Sequence, residues 1–325
     1  KIWIKYITNY HYYIILMMYY IKISYKTKNT YKDQYGNSLK NKKMIEQFDK
    51  LYIVPTYKEV KFYYLKNKIY ASALDNKGRT QYSYNKEFKE KREEKKLHNL
   101  KKFLSIIDKL DKKINCDLNQ TYNIKNKLIA TILKLMKICN FRIGNENYEK
   151  EYGSIGLTTL KKQHLHFKSE KTIIEFTGKK GVLNNCSFKH PKIQKILKLL
   201  CNKNKYLFSY YDENRILKNV NNNDVNDYLE EFDVTNKDLR MTNANYLFLY
   251  FFNTYTKDMI FKNLNEKDQK KIIKECAIEV AKQLHNTVIV LLNSYISKKL
   301  IEKIKTTNYN KKNRIKDQLK KLINS

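Results

Sequence analysis

Carboxylates are the first thing this sequence is short of. Lys and Arg number 66 against 32 Asp and Glu, a formal charge of +34. Such an excess points to a polyanionic partner, either nucleic acid or an anionic membrane. Abundant Lys, Asn, Ile and Tyr also suit an AT-rich genome. That bias does not explain why carboxylates failed to rise with the lysines, so DNA is the better partner. No carboxylate cluster offers a two-metal clamp, and no cofactor is expected. The five cysteines, Cys116, Cys139, Cys186, Cys201 and Cys276, are odd in number, widely spaced and never in a CxxC pair. This argues against a disulfide framework and against a structural zinc site. It reads as a reducing intracellular compartment. His164 and His166 sit two apart without nearby Cys or carboxylates, which favours hydrogen bonding over a metal site. A clean membrane span is also missing. The tyrosine-rich opening KIWIKYITNYHYYIILMMYYIKISY is interrupted by Lys5, Asn9, His11 and Lys22 and lacks a small-residue cleavage site. No membrane partner is expected.

What is present is enough apolar sequence for a packed core and enough length for two domains. The expected fold is α+β, a small β-rich N-terminal domain followed by a larger, mainly α-helical one. Residues 1–50 read as an extension. Within it, 1–16 read as translated upstream sequence with a start at Met17 or Met18, and 26–50 as polar and irregular. Residues 51–115 form the β-rich domain. LYIVP, EVKFYYL, KIYASAL and TQYSYN are β-branched and aromatic runs punctuated by Asn67, Asp75-Asn76 and Gly78. Lys77, Arg79, Tyr82 and Tyr84 alternate basic and aromatic groups near a hairpin. They can meet phosphates and sugars, or form an ordinary exposed strand whose tyrosines pack on their own sheet. Phe88–Lys113 reads as a charged amphipathic helix.

Residues 116–325 form the helical domain. Leu128, Ile132, Leu135, Met136 and Cys139 make one stripe of a core helix over 122–140, which delivers Arg142. GLTTLKKQHL, Thr172–Phe176 and Val182–Phe188 read as strands. Glycine is scarce, seven in all, yet Gly153, Gly156, Gly178 and Gly181 lie close together. That suits tight turns and a hairpin tip presenting Lys179 and Lys180. Helices are expected from His190-Pro191 to Leu200, over 224–232, and over 236–255 behind a Thr235-Asn236 cap. The last of these carries Arg240. Its aromatics Tyr246, Phe248, Tyr250, Phe251 and Phe252 read as core before base-stacking platform. The tail after Ser297 reads as a basic helix, DNA-facing or solvated.

Arg142, Lys179, Arg240 and Tyr295, in that order, suit attack on a phosphodiester. A tyrosine oxygen can be the nucleophile, guanidinium forks match phosphate oxygens, and a lysine can hand a proton to the departing oxygen. At DNKGRTQYSYN, FRIGN…GLTTLKKQHL, IIEFTGKKGV, KDLRMTNANY and LHNTVIVLLNSYI the chain resembles the type IB DNA topoisomerases in their compact poxvirus-like and bacterial-like form. The likeness spans roughly Tyr52 to Leu300. It implies a catalytic domain of the topoisomerase IB and tyrosine recombinase type, a clamp around double-stranded DNA, and relaxation of supercoils by a monomer through a 3′-phosphotyrosyl intermediate without ATP or metal. It also implies a viral setting, in a viral factory, a virion or host cytoplasm. In that likeness Tyr295 is the nucleophile, Lys179 the hairpin lysine, and the KGR-x-QY-x-Y segment lies on the duplex. Relatives carry His or Asn nine places before the tyrosine, which gives Asn286. His285, where relatives have glycine, is the less favoured substitute. Departures are Lys180 in place of an acidic residue, Val288 in place of proline, and Leu291-Leu292 where basic residues often stand. Lys180 can hold Lys179 nearer its deprotonation point or add a phosphate contact. A tyrosine recombinase shares the Arg, Lys, Arg, Tyr set but has His where Lys237 stands. A non-catalytic basic DNA-coating protein is the alternative from another class.

Overall fold

The computed structural model describes residues 19–25, 28–63, 68–201, 204–257, 259–307, 311 and 313–324. The expectations for residues 1–18, including the start at Met17 or Met18, lie outside these. The chain divides into two compact units, 1–94 and 95–325.

The first unit is a five-stranded antiparallel sheet with one helix on it. Its elements are β1 (Tyr19–Tyr25), β2 (Lys28–Asp33), α1 (Lys42–Asp49), β3 (Lys58–Tyr63), β4 (Ile69–Leu74) and β5 (Thr80–Tyr84). The spatial order is β2-β1-β3-β4-β5. Two expectations are corrected. Within the stretch expected to be irregular, Lys28–Asp33 is a strand and Lys42–Asp49 a helix. Asn41 caps α1 by accepting the Met44 N–H at 3.2 Å, and Met44 and Phe48 pack on Tyr31, Phe62 and Ala71. So few apolar side chains suffice for one face of a strand and one turn of a helix that the segment reads as polar. Conversely, Leu51–Pro55 forms no strand, and Leu51 and Ile53 reach the core from a loop.

Helix α2 (Lys86–Asp117) follows. The units divide after Glu94, earlier than the boundary expected near residue 115. The physical reason is burial, because Leu100, Phe103, Leu104, Leu110 and Ile114 of α2 all enter the cores of the second unit.

The second unit has two apolar clusters. One gathers α3 (Ile124–Cys139), the sheet β6-β7-β8 (Leu165–Phe167, Thr172–Thr177, Leu183–Phe188), α5 (Pro191–Leu200) and α6 (Asn222–Glu230). A short helix, α4 (Glu146–Tyr152), precedes the sheet, and a ribbon of β9 (Ser209–Tyr211) and β10 (Leu217–Asn219) precedes α6. The other cluster gathers α7 (Asn236–Tyr255), α8 (Glu266–Gln283), α9 (Val288–Ser294), α10 (Lys298–Thr306) and α11 (Ile315–Asn324). The stripe expected on α3 is buried throughout. The basic tail is not merely solvated, since Leu300, Ile304, Leu319, Leu322 and Ile323 are core residues. On α7, Phe248 and Phe252 are buried while Tyr246 and Tyr250 are exposed, as helical rotation requires. Among the described residues no helix is long and apolar enough to cross a membrane.

The cysteine reading is also corrected. Cys139 and Cys186 form a disulfide with Cα atoms 5.5 Å apart. Their separation of 47 residues hides the pair from any local motif. GLTTLKKQHL is not a strand but two 3₁₀ turns, Leu157–Thr159 and Lys162–His164, before β6. The turns exist because Gly156 passes against Gly144. Leu157 N–H donates to Arg142 O at 3.0 Å and Thr158 N–H to Ile143 O at 2.7 Å. A β-carbon on Gly156 would stand 2.4 Å from Gly144 Cα and 2.5 Å from Gly144 N.

Gly156→Ala is therefore expected to lower stability by about 3 kcal/mol or more, as overpacking against backbone does. Gly78→Ala is the control. Its φ is +71° but its β-carbon would meet nothing within 4 Å, so only left-handed strain of about 1 kcal/mol applies. Urea melts of the two variants should differ in that order. Equal losses would rule out the backbone contact.

Candidate active site

Two helix C-termini build the site. Helix α3 ends at Asn140, which turns left-handed at φ 54°. Helix α8 ends in a Schellman arrangement. His285 N–H donates to Lys282 O at 3.1 Å and Asn286 N–H to Ala281 O at 2.9 Å, with His285 at φ 50°. A glycine would fit this position without strain.

Arg240 projects from α7, whose start is fixed by Thr235 and Asp238 capping each other. It is only 5% exposed. Its Nη1 donates to Asn140 O and its Nη2 to Leu284 O, so it takes the last carbonyls of both helices. Burial, partly offset by the Tyr295 phenol and reinforced by Arg142, pushes its pKa down to about 10, still charged at neutral pH. The guanidinium lies 5.6 Å from the centre of the Tyr295 ring, within cation–π range.

Arg142 donates from Nη1 to His285 O at 3.3 Å and from Nη2 to Asn286 Oδ1. The second bond orients the amide, with its oxygen toward Arg142 and Nδ2 directed away. Asn286 Nδ2 and Arg240 Nε are buried without a hydrogen-bond partner in the structure.

Tyr295 is the residue that ends α9, at a joint before α10 rather than inside a helix. Its backbone is gripped by Asn245, which is 0% exposed. Asn245 Nδ2 donates to Tyr295 O at 2.8 Å, and Asn245 Oδ1 accepts the Ser297 N–H at 2.9 Å. Burial pushes the half-buried phenol's pKa up. The charge and close approach of Arg240, then Arg142 and the Asn286 amide, outweigh it, so the pKa falls below the usual tyrosine value. Asn286 helps here although its Nδ2 makes no full hydrogen bond.

Lys179 stands exposed at the tip between β7 and β8. Gly181 at φ 74° and Lys180 at φ 65° shape the tip. Gly178 makes a different close approach, because a β-carbon there would lie 2.4 Å from Asn184 Nδ2 and the Asn184 side chain would have to move. A cavity of 540 Å³ opens between this tip and the end of α8, lined by Arg142, Lys179, Lys180, His285, Asn286 and Tyr295 with Val182, Leu183 and Val290.

The structure thus brings Arg142, Lys179, Asn286 and Tyr295 to one cleft, with Arg240 against the tyrosine. Lys77, Arg79, Tyr82 and Tyr84 belong to the first unit, on edge strand β5 and the turn before it. Arg79 is already paired with Asp75, Nη2 to Oδ2 at 2.6 Å. His164 Nδ1 accepts the Lys161 N–H at 3.0 Å, a local structural use. Sequence reasoning missed Asn245 and the carbonyls of Asn140 and Leu284. The only signal for Asn245 was a poor helix former inside an apolar helix.

The family model for the eukaryotic DNA topoisomerase I catalytic core matches residues 85–322. A DNA topoisomerase 1B of Acanthamoeba polyphaga mimivirus is 31% identical over 270 residues, covering 80% of each chain. DNA topoisomerase 1B of vaccinia virus, strain Copenhagen, is 25% identical over 235 residues, 72% of each. DNA topoisomerase 1 of rabbit fibroma virus is 28% identical over 236 residues, 70% of each.

Two outcomes are expected here. Asn245→Ala strands a buried N–H and carbonyl and should lower unfolding free energy by about 1–3 kcal/mol, read by urea melts; an unchanged midpoint would deny the grip. Burial first, then the charges of Arg240 and Arg142, hold the His285 imidazole down to about 4 from an ordinary 6.5. The unfolded chain therefore binds this proton more readily, and stability rises with pH across that window. The contribution is complete above pH 6.5 and lost as pH falls toward 4. His285→Gln should flatten that part of the stability–pH curve, and an unaltered slope would contradict the assignment.

Proposed function

Because the chain belongs to the type IB DNA topoisomerase family, we propose that Tyr295 is the nucleophile with which it cuts and reseals one strand of duplex DNA. The carrying observation is the pair of buried donors without partners, Arg240 Nε and Asn286 Nδ2, beside a phenol whose pKa is lowered. Buried donors are normally satisfied, and a phosphate oxygen supplies what these lack.

In the reaction, Tyr295 Oη attacks phosphorus and loses its proton. A 3′-phosphotyrosyl bond forms and the bond to the 5′ oxygen breaks. Lys179, exposed on its hairpin, gives that oxygen its proton. Arg142, Arg240 and Asn286 meet the charge that grows on the pentavalent phosphorus, where fixed donors act most strongly. The free end swivels, and the 5′-hydroxyl then displaces Tyr295. Bond energy is kept in the phosphotyrosine, so neither ATP nor a metal ion is required. The protein acts as a monomer, and both units clamp the duplex. Lys77, Arg79, Tyr82, Tyr84 and Lys180 contact the DNA, their charge favouring phosphates in a salt-dependent way. Clamp and monomer rest on the family likeness.

Supercoiled plasmid incubated in EDTA without ATP should be relaxed by the wild type and not by Tyr295→Phe, and only the wild type should carry a covalent DNA adduct after denaturation. Lys179→Ala should slow cleavage by about 10²–10⁴, the worth of a positioned acid. Equal relaxation by wild type and Tyr295→Phe would remove the tyrosine from its role.

A further inference from the structure

We propose that the Cys139–Cys186 disulfide is a positioning cross-link for Lys179, so that its oxidation state sets the rate of leaving-group protonation. The inference rests on the reading of Lys179 as the acid. Cys139 is the last residue of α3. The next residue, Asn140, offers the carbonyl that holds Arg240, and Arg142 follows two places later. Cys186 lies in β8, opposite Ile174 of β7, in the hairpin whose tip carries Lys179. One covalent bond therefore ties the element serving both arginines to the element bearing the lysine.

Toward the tip the ties are noncovalent: Ile155 N–H donates to Thr177 O at 3.1 Å and Asn184 Nδ2 to Val182 O at 2.8 Å. Lys179, Lys180, Val182 and Leu183 are all exposed. Between the disulfide and the tip, Phe141 meets Phe176 of β7 edge-on, ring centres 4.8 Å apart. That contact can rock and a disulfide cannot. A proton donor displaced by a fraction of the hydrogen-bond range loses much of its effect. Cys186 is half-buried and Cys139 buried, so a small thiol reaches the pair through Cys186. On closure the two thiols give up two protons and two electrons to a disulfide oxidant such as glutathione disulfide, which leaves as two thiols; reduction reverses this.

The test uses the whole chain carrying Cys116→Ser and Cys201→Ser, which silences the two free cysteines that are not buried. The protein is equilibrated in glutathione buffers of graded poise. The Cys139–Cys186 bond is followed by mass spectrometry, and single-turnover cleavage is measured on duplexes whose scissile bond has either bridging oxygen or bridging sulfur. A thiolate leaves without needing a proton. As the bond opens, cleavage of the oxygen substrate should slow about tenfold, part of the roughly 10²–10⁴ a placed acid supplies, while cleavage of the sulfur substrate stays constant. Cys186→Ser should match the reduced protein and ignore glutathione. Equal slowing on both substrates would assign the bond to general stability and overturn the proposal. Unchanged cleavage with both thiols free would also overturn it. Failure on both substrates in every buffer would remove the active-site reading itself, and this proposal with it.

Discussion

The second unit depends on one buried cation. Arg240 donates to Asn140 O and Leu284 O, the carbonyl ends of α3 and α8. Helix C-termini carry partial negative charge and unpaired carbonyls, so each end stabilises the guanidinium and is satisfied by it. An uncompensated charge at this depth would be strongly destabilising. The arrangement also fixes three helices at one point. On α7, Leu239 belongs to one apolar cluster and Met241 to the other. The arginine between them sits on the seam, and the cleft opens there.

The same carbonyls explain the rest of the site. With both Nη atoms engaged by backbone, Arg240 keeps its charge and its Nε for the phenol and whatever binds beside it. Arg142 does likewise from the chain after α3, taking His285 O and the Asn286 amide oxygen. The amide nitrogen is thereby aimed without choice of rotamer. Preorganisation here comes from helix ends together with the Arg142–Asn286 side-chain bond, which is why the site can be cationic and still well determined. The left-handed residues Asn140 and His285 present these carbonyls.

Much of this was legible in the sequence where local rules decide. The stripe on α3, the Thr235 cap of α7, the proline start of α5 and the glycine-rich tip before β8 each follow from spacing alone. Arg142, Lys179, Arg240 and Tyr295 could be singled out by order and chemistry. Their common cleft is a tertiary fact. What escaped was decided by distant partners. Residues 28–33 find a sheet that needs only a few apolar contacts. GLTTLKKQHL has the look of a strand, but Gly144 passing against Gly156 bends it into turns. Cys139 and Cys186 meet only once the hairpin folds back on α3, and Asn245 shows its worth only when the chain after α9 returns to α7.

That last contact bears on mechanics. On the proposed role of Tyr295, a cut strand attached to it would hang from a joint between two helices, and a spinning duplex would apply torque there. Were the tyrosine in mid-helix, that load would pull at successive helical hydrogen bonds. At the joint it falls on the Asn245 side chain and on the Tyr295 and Ile296 N–H bonds to Leu291 O, at 2.9 and 3.1 Å. Asn245 holds the main chain on both sides of Ile296 and transfers the force to α7, a rod rooted in both apolar clusters. Tyr295 is thus fixed at its root, as a swivel pin is.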